Sequence, residues 1–450
     1  MEDMTTGNPL RVIIRFTLPL LMGNIFQSLY SLVDTIIVGR SLGVSALGAI
    51  GAVSSLMFFM QGFVLGVASG LSIVLAQRYG AKDEKRIRSS FITSIWISLV
   101  IVMPLMLISI IFVDRFLRGM NIPAELFADG KAYFVTTMIG MTALMYFNLI
   151  CNVLRSIGDT RHLLVFVVLS QLLNILFDIL FILIIPLGVI GVALATAISQ
   201  MIVAMIAQNY LSKKNPLFHL RKEDLRMNKR EILLHFKVSL PIGYQNAIIS
   251  IGSLILQFKL NGLGAAAVEG HSIGQKIEMI ATMPLATFGV AIATFVAQNH
   301  GAKQPGRIWE GIRKLSALAI TYSTVMGGLL FFFGGDLAFS IFGTASSESV
   351  AYIDFYFKLT APFYSILSLV FVLRYGLQGM GKAIAPTLAG FMEMFMRTLV
   401  PVLFTGSVGF SAIAFSHPLA WIAATLVLII PIGYMRRDDC SGRLKQFITS

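Results

Sequence analysis

Four side chains carry oxygen into long apolar runs where such groups are rare. They are Asp34 in SLVDTIIVGRSLG (31–43), Asn174 and Asp178 in SQLLNILFDILFI (170–182), and Thr196 in GVALATAISQ (191–200). A carboxylate at mid-bilayer costs about 2.5–3.5 kcal/mol on insertion scales, so it is paired, faces a cavity or carries a proton. The i,i+4 spacing of Asn174 and Asp178 puts amide and carboxyl on one helix face, one turn apart. Together the four offer only oxygen ligands and titratable groups. That set suits a hard monovalent cation, Na+ or a proton, and suits no transition metal. A blander role stays open: the two aspartates bond other helices for packing, and Thr196 bonds its own backbone.

The elements that must position these groups follow from composition. The chain has 450 residues, of which 56% are hydrophobic and 13% charged, with mean hydropathy +0.81. That apolar share exceeds the range of soluble domains. A span needs about 20 apolar residues, and no alternating barrel pattern occurs. Twelve spans are predicted near 12–38, 45–77, 89–113, 131–154, 162–185, 188–211, 232–260, 266–298, 310–334, 350–377, 384–405 and 410–434. The first follows a polar leader and is too long for a cleavable signal core, so it is expected to stay. Cys151 and Cys440 are too few and too dissimilar in setting for a disulfide framework.

The net charge of +13 is topological. With the amino terminus inside, the inward segments hold 25 of the 35 Lys and Arg residues, which predicts both termini in the cytoplasm. Nucleic acid is therefore not an expected partner; the bilayer and small molecules are. A plasma (inner) membrane location is expected, with the protein working as a monomer.

The chain is also a duplication. LPLLMGNIFQSLYSLVDTIIVGRSLGVSALGAIG from Leu18 reappears as LPIGYQNAIISIGSLILQFKLNGLGAAAVEGHSIG from Leu240, AQRYGAK at Ala76 as AQNHGAK at Ala297, and LRSIGDT at Leu154 as LQGMGKA at Leu377. An even number of spans per repeat keeps the halves parallel. The reading is an all-α polytopic membrane protein of twelve helices in two pseudo-symmetric six-helix bundles. The division is 1–211 for the first lobe, 212–231 for a polar cytoplasmic linker with a short amphipathic helix, and 232–450 for the second lobe with its basic tail.

The second half is built differently. Ile255 stands where Asp34 stands in the first, and Arg397 where Asn174 does. Glu393 precedes Arg397 by four residues and is expected to neutralise it. Glu278 and Lys276 are two apart and cannot face each other on one helix, so pairing across helices is expected; Lys358 and Arg374 are expected to snorkel to opposite surfaces. Pro19 and Pro241 occupy matching positions, and a bend at Pro19 would lie in the helix that carries Asp34. SGLS and LGAIGAV read as close helix packing. Nothing resembles GxxxxGK[ST], HExxH or a Cys cluster, so neither ATP hydrolysis nor another enzyme activity is indicated and no cofactor is expected.

The duplicated layout, VDTIIVGRSLG, AQRYGAK with AQNHGAK, LRSIGDT with LQGMGKA, and NILFD together resemble the multidrug and toxic compound extrusion (MATE) family, from about Leu18 to Gly433. The resemblance implies a secondary antiporter of two lobes around a cleft, exchanging Na+ or H+ for organic, often cationic, drugs. It is nearest the DinF-type branch, in which an acid in span one, an Asn-x-x-x-Asp in span five and a Thr in span six form the cation site. Those positions are Asp34, Asn174, Asp178 and Thr196 here. The NorM-type branch adds acids in spans seven and ten, where this sequence has Ile255 and Leu367 or Ser368.

The expected mechanism is alternating access, with cation at Asp34 and Asp178 disfavouring drug and drug disfavouring cation. Pro19 is the expected transmitter, and Gln27 and Asn148 are assigned as polar substrate contacts. Two rivals are a lipid-linked oligosaccharide flippase of the same broad superfamily, which would want cations for pyrophosphate, and a passive channel, which would need no paired acids.

Overall fold

A computed structural model describes residues 3–120, 122–219, 229–342 and 347–449. No strand occurs among them. A bilayer leaves the backbone no water to bond, so apolar runs satisfy their own N–H and C=O groups as helices. In chain order these are α1 (Pro9–Gly80), α2 (Glu84–Ile111), the short α3 (Val113–Gly119), α4 (Ala124–Ser156), α5 (Thr160–Asp178), α6 (Val189–Lys214), α7 (Lys229–Asn261), α8 (Ala265–Gly301), α9 (Pro305–Phe342), α10 (Ser347–Thr360), α11 (Tyr364–Gly379), α12 (Ile384–Val408) and α13 (Phe410–Thr449). Of the described residues, eleven helices are long and apolar enough to span, with α10 and α11 joined into one by a 3-10 turn at Ala361–Phe363.

The 72-residue α1 would reach about 108 Å at 1.5 Å per residue, several times the thickness of a bilayer core. It breaks at Gly43 (φ 83°, ψ 178°), a backbone geometry open only to glycine, so its limbs 9–42 and 44–80 supply two of the predicted spans. Twelve spans result. The polar stretch after α6 begins with a 3-10 turn at Pro216–Phe218; most of the expected amphipathic helix falls outside the described residues.

The duplication is written into the backbone as well as the sequence. Left-handed residues recur in pairs: Gly43 with Gly264, Lys82 with Lys303 and Gly188 with Gly409 at an offset of 221, and Gly158 with Gly381 at 223. Lys82 and Lys303 close AQRYGAK and AQNHGAK through the same bonds, Lys82 N–H to Tyr79 C=O (3.0 Å) and Lys303 N–H to His300 C=O (3.1 Å).

By packing, the chain forms two units: Met1–Asp3 with Leu18–Gly243, and Met4–Thr17 with Tyr244–Ser450. The chain thus changes units inside α1, beside Pro19, and inside α7, beside Pro241. In the second unit, the Asn299 amide and the Arg307 guanidinium both donate to the Met4 carbonyl, tying the start of the chain down. The first unit's core gathers Val64, Leu71, Phe134 and Met138, all fully buried. There α1 and α7 approach so closely that a Cβ on Gly70, the glycine of SGLS, would sit 2.4 Å from the Ser239 Cα.

Candidate cation site and cavity

The first unit brings the four oxygen-bearing residues together. Asn174 and Asp178 lie on one buried face of α5, 3% and 0% exposed. The α-helix ends at Asp178 and widens into a π-helical turn at Ile179–Ile184. From α6, Thr196 donates to the Val192 carbonyl (3.2 Å) and accepts from the Asn174 amide (3.3 Å), so its hydroxyl serves its own backbone and the cluster at once. From α1 comes Asp34, half-buried, with its carboxyl close enough to that of Asp178 for the two groups to interact electrostatically.

Two carboxylates are both acceptors and cannot bond each other without a proton or cation between them. Consistent with that, Asp34 Oδ1, both oxygens of Asp178 and Asn174 Oδ1 have no hydrogen-bond partner. Among the described residues neither aspartate has an ion-pair partner. No group of three or more His, Cys, Asp or Glu that could hold a metal ion occurs among those residues. The donors present fit a proton or a small hard cation. Tyr30, one turn before Asp34, and Tyr133 of α4 lie within electrostatic range of both acids. Tyr30 was visible in the sequence as an i,i+4 neighbour; Tyr133 was not.

A cavity of about 380 Å³ lies in the same unit. Pro19, Gln27, Asn148 and Thr196 all line it, together with Asn24, Gln61, Gln171, Gln200 and Arg155, which the sequence did not single out. Asn148 also donates to the Leu144 carbonyl (2.8 Å). A smaller cavity of about 70 Å³ shares Gln61, Leu144, Thr196 and Gln200 and adds Tyr133. Thr196 therefore touches the acid cluster on one side and both cavities on the other.

Below this, where α5 begins, Asp159 caps the helix and is 3% exposed. It accepts from His162 Nδ1 (2.7 Å), Lys214 Nζ (2.9 Å) and Tyr210 Oη (3.0 Å). Burial alone would raise this carboxyl, but those three hydrogen bonds outweigh it and hold it at about 2.

The second unit's charges are arranged otherwise. Arg374 does not snorkel: it is 7% exposed and pairs with Glu393, because α11 is buried on most of its circumference and offers no route to a surface. Arg397 stands 3.9 Å from the other oxygen of Glu393, so the expected helical pair is one side of a triad. Lys358 does lie at the surface, 2.6 Å from Asp354. Glu278 of α8 accepts across helices from the Tyr356 hydroxyl of α10, as expected of it, while Lys276 is exposed. At the positions of the further acids of the NorM-type branch, Leu367 and Ser368 are buried and Ser368 bonds the Ser365 carbonyl.

The model of the MatE family matches residues 19–180 and 241–403, one match to each repeat. The chain belongs to the MATE family. It is similar to "Probable multidrug resistance protein YpnP" of Bacillus subtilis, 27% identical over 83% of each chain. It is also similar to "Probable multidrug resistance protein NorM" of Thermotoga maritima, 26% identical over 87% of this chain and 84% of that one. Among solved structures, a multidrug resistance MATE family transporter in an outward-facing conformation superposes with a TM-score of 0.86 at 20% identity, covering 96% of this chain and 97% of that one. A MOP superfamily transporter from Pyrococcus furiosus gives 0.85 at 21%, over 96% and 97%. These likenesses show the fold, an all-helical multi-pass membrane architecture of the MATE type.

Proposed function

We propose that this MATE transporter is a secondary antiporter of the DinF-type branch that exports organic molecules, drugs among them, in exchange for H+ or Na+. The observation that carries the reading is the closeness of Asp34 and Asp178, two carboxyl groups with buried unpartnered oxygens and, among the described residues, no ion-pair partner. Asn174 and Thr196 complete the cation set, and Gln27 and Asn148 contact substrate in the cavity that Thr196 opens onto. Cation occupancy and drug occupancy oppose each other, and reciprocity makes the opposition mutual. The repeats 1–211 and 232–450, linked by 212–231, alternate access to the two sides of the plasma membrane, with Pro19 bending α1, both termini cytoplasmic and a monomer sufficient. Relatives named as multidrug resistance proteins support drug export. The flippase alternative is not favoured, since a single arginine among the cavity's lining residues is a poor match for a pyrophosphate.

The test is efflux of a fluorescent substrate from proteoliposomes under separately imposed Na+ and pH gradients, comparing the wild type with Asp34→Asn and Asp178→Asn. One gradient should drive wild-type efflux, and each variant should lose about a hundred-fold of it, as for a group required in every cycle. Undiminished efflux by both variants under both gradients sinks the assignment.

A further inference from the structure

The turns that close the matching spans of the two repeats agree in backbone and differ in charge. At the offsets of 221 and 223, Asp83, Glu84 and Asp159 of the first unit correspond to Gln304, Pro305 and Lys382 of the second. In the first unit two of those acids are compensated: Asp83 caps α2 and pairs with Arg86 (3.3 Å), and Asp159 accepts from His162, Tyr210 and Lys214. Tyr79 of AQRYGAK lies within electrostatic range of Asp159 and Lys214, so the two turns share one charge network there. In the second unit the acids are gone and Lys303 and Lys382 remain. Neither lysine has an ion-pair partner among the described residues.

A cavity of about 270 Å³ lies between these two turns of the second unit, lined by both lysines and, among its described residues, by no acid. It stands at one end of the bundle: Lys303 follows the apolar span that closes at Gly301, Lys382 lies between the spans that close at Gly379 and open at Ile384, and Met435 closes the last one. That is the depth at which phospholipid headgroups sit. The lining also has two characters. Lys303, Gln304 and Lys382 are exposed, whereas Ile308 and Met380 are 4% and 8% exposed and Met435 is half-buried. Both lysines ride on fixed turns, Lys303 N–H bonding the His300 carbonyl (3.1 Å) and Lys382 N–H the Leu377 carbonyl (3.0 Å). The cavity thus has a cationic rim over an apolar floor.

We propose that this cavity binds the phosphate of an anionic phospholipid, seated between the ammonium groups of Lys303 and Lys382. Gln304 donates to the polar oxygens of the headgroup, and the first carbons of the acyl chains lie on Ile308, Met380 and Met435. Lysine is a compact point charge that serves phosphate without demanding one orientation, and basic pockets between spans at this depth suit such headgroups. A soluble phosphate would answer the rim alone, while a phospholipid answers the rim and the floor. The place that matches it in the first unit, with Asp83, Glu84 and Asp159, would repel the same headgroup. The proposal needs neither the cation site nor a substrate cavity.

The test is a titration of the full chain, purified in a non-ionic detergent, with phosphatidylglycerol and with phosphatidylcholine of the same acyl chains, the first bound lipid being read by native mass spectrometry. Phosphatidylglycerol should bind about ten-fold tighter or more. Lys303→Gln and Lys382→Gln should each weaken it about five-fold, as for one lysine at a membrane surface, and the double variant about 25-fold, which brings the two lipids level. Lys303→Arg and Lys382→Arg should keep the preference, which separates lost charge from a disturbed turn. Lys82→Gln, the same change at the matching turn of the first repeat, should leave binding as it is. Glycerol phosphate, the soluble headgroup, should bind at least about ten-fold more weakly than the lipid. Equal binding of the two lipids by the wild type, a double variant that binds as the wild type does, loss of preference in the arginine variants, or equal weakening by Lys82→Gln overturns the proposal. Glycerol phosphate binding as tightly as the lipid overturns it too, and makes the cavity a site for soluble phosphates.

Discussion

The two units carry the same backbone plan and opposite electrostatic solutions. In the first, Asp34 and Asp178 lie near each other with no ion-pair partner among the described residues, and Asp34 Oδ1 and both oxygens of Asp178 have no hydrogen-bond partner. In the second, Glu393 is held between Arg374 and Arg397, and Glu278 takes a hydrogen bond from Tyr356. A buried acid compensated within the protein has little need of an ion from outside, whereas an uncompensated pair must recruit one. Duplication copied the left-handed turns at Gly43 and Gly264 and at Lys82 and Lys303. It did not preserve the charge pattern. On the proposed reading, ion binding belongs to the side chains of one repeat, on a scaffold that both repeats share.

Substitutions should bring out that contrast with opposite signs. The largest effect is expected in the compensated unit: Glu393→Gln strands two buried guanidinium groups and should cost about 3–5 kcal/mol, read as a large drop in thermal unfolding temperature in detergent. The double variant Glu393→Leu with Arg374→Met should recover part of that loss. If it is no better than the single variant, Glu393 does not act through Arg374. In the uncompensated unit, Asp178→Asn should leave stability unchanged or raise it by up to about 1 kcal/mol in the absence of Na+, because it relieves a like-charge contact. A clear destabilisation there would erase the comparison.

The Asp159 network lies between these extremes. Its folded value of about 2 is below the ordinary 3.8, so its contribution is complete above about pH 3.8 and is lost as pH falls through about 2. Asp159→Asn should cost about 1–2 kcal/mol at neutral pH, an amount reduced by the half-exposed His162 and Lys214, and much less near pH 2. Chemical unfolding at the two pH values checks the sign. The smallest effect is expected where the units agree: Lys82→Gly and Lys303→Gly each relieve a left-handed lysine and should stabilise by about 0.5–1 kcal/mol, equally in both. Unequal gains would mean that the matching turns carry different strain.

Most of the fold was legible because a bilayer imposes length and apolarity on each span, and the repeat fixed the pairing of elements. The meeting of Asp34 with Asp178 was legible because so few acids stand in the apolar runs. What stayed hidden depended on which way a helix faces. Arg374 lies near a helix end and could have reached a surface, and only the burial of α11 denies it one. Tyr133 and Arg155 join the site through tertiary packing of α4, which leaves no trace in local spacing. The widening after Asp178 comes in ILFILI, a run as apolar as its neighbours, with no proline or glycine to announce it.

Besides the step from Asp3 to Met4 ahead of α1, the chain passes between units at two places that both fall within helices, between Thr17 and Leu18 and between Gly243 and Tyr244. Each has a proline within two residues, Pro19 and Pro241, and each proline leaves one carbonyl of the preceding turn without its helical donor. The crossings are rods notched at the seam. Flexure concentrated at a notch lets a rod yield without unwinding, so the covalent ties between the halves can give at two fixed points while the helices on either side stay whole.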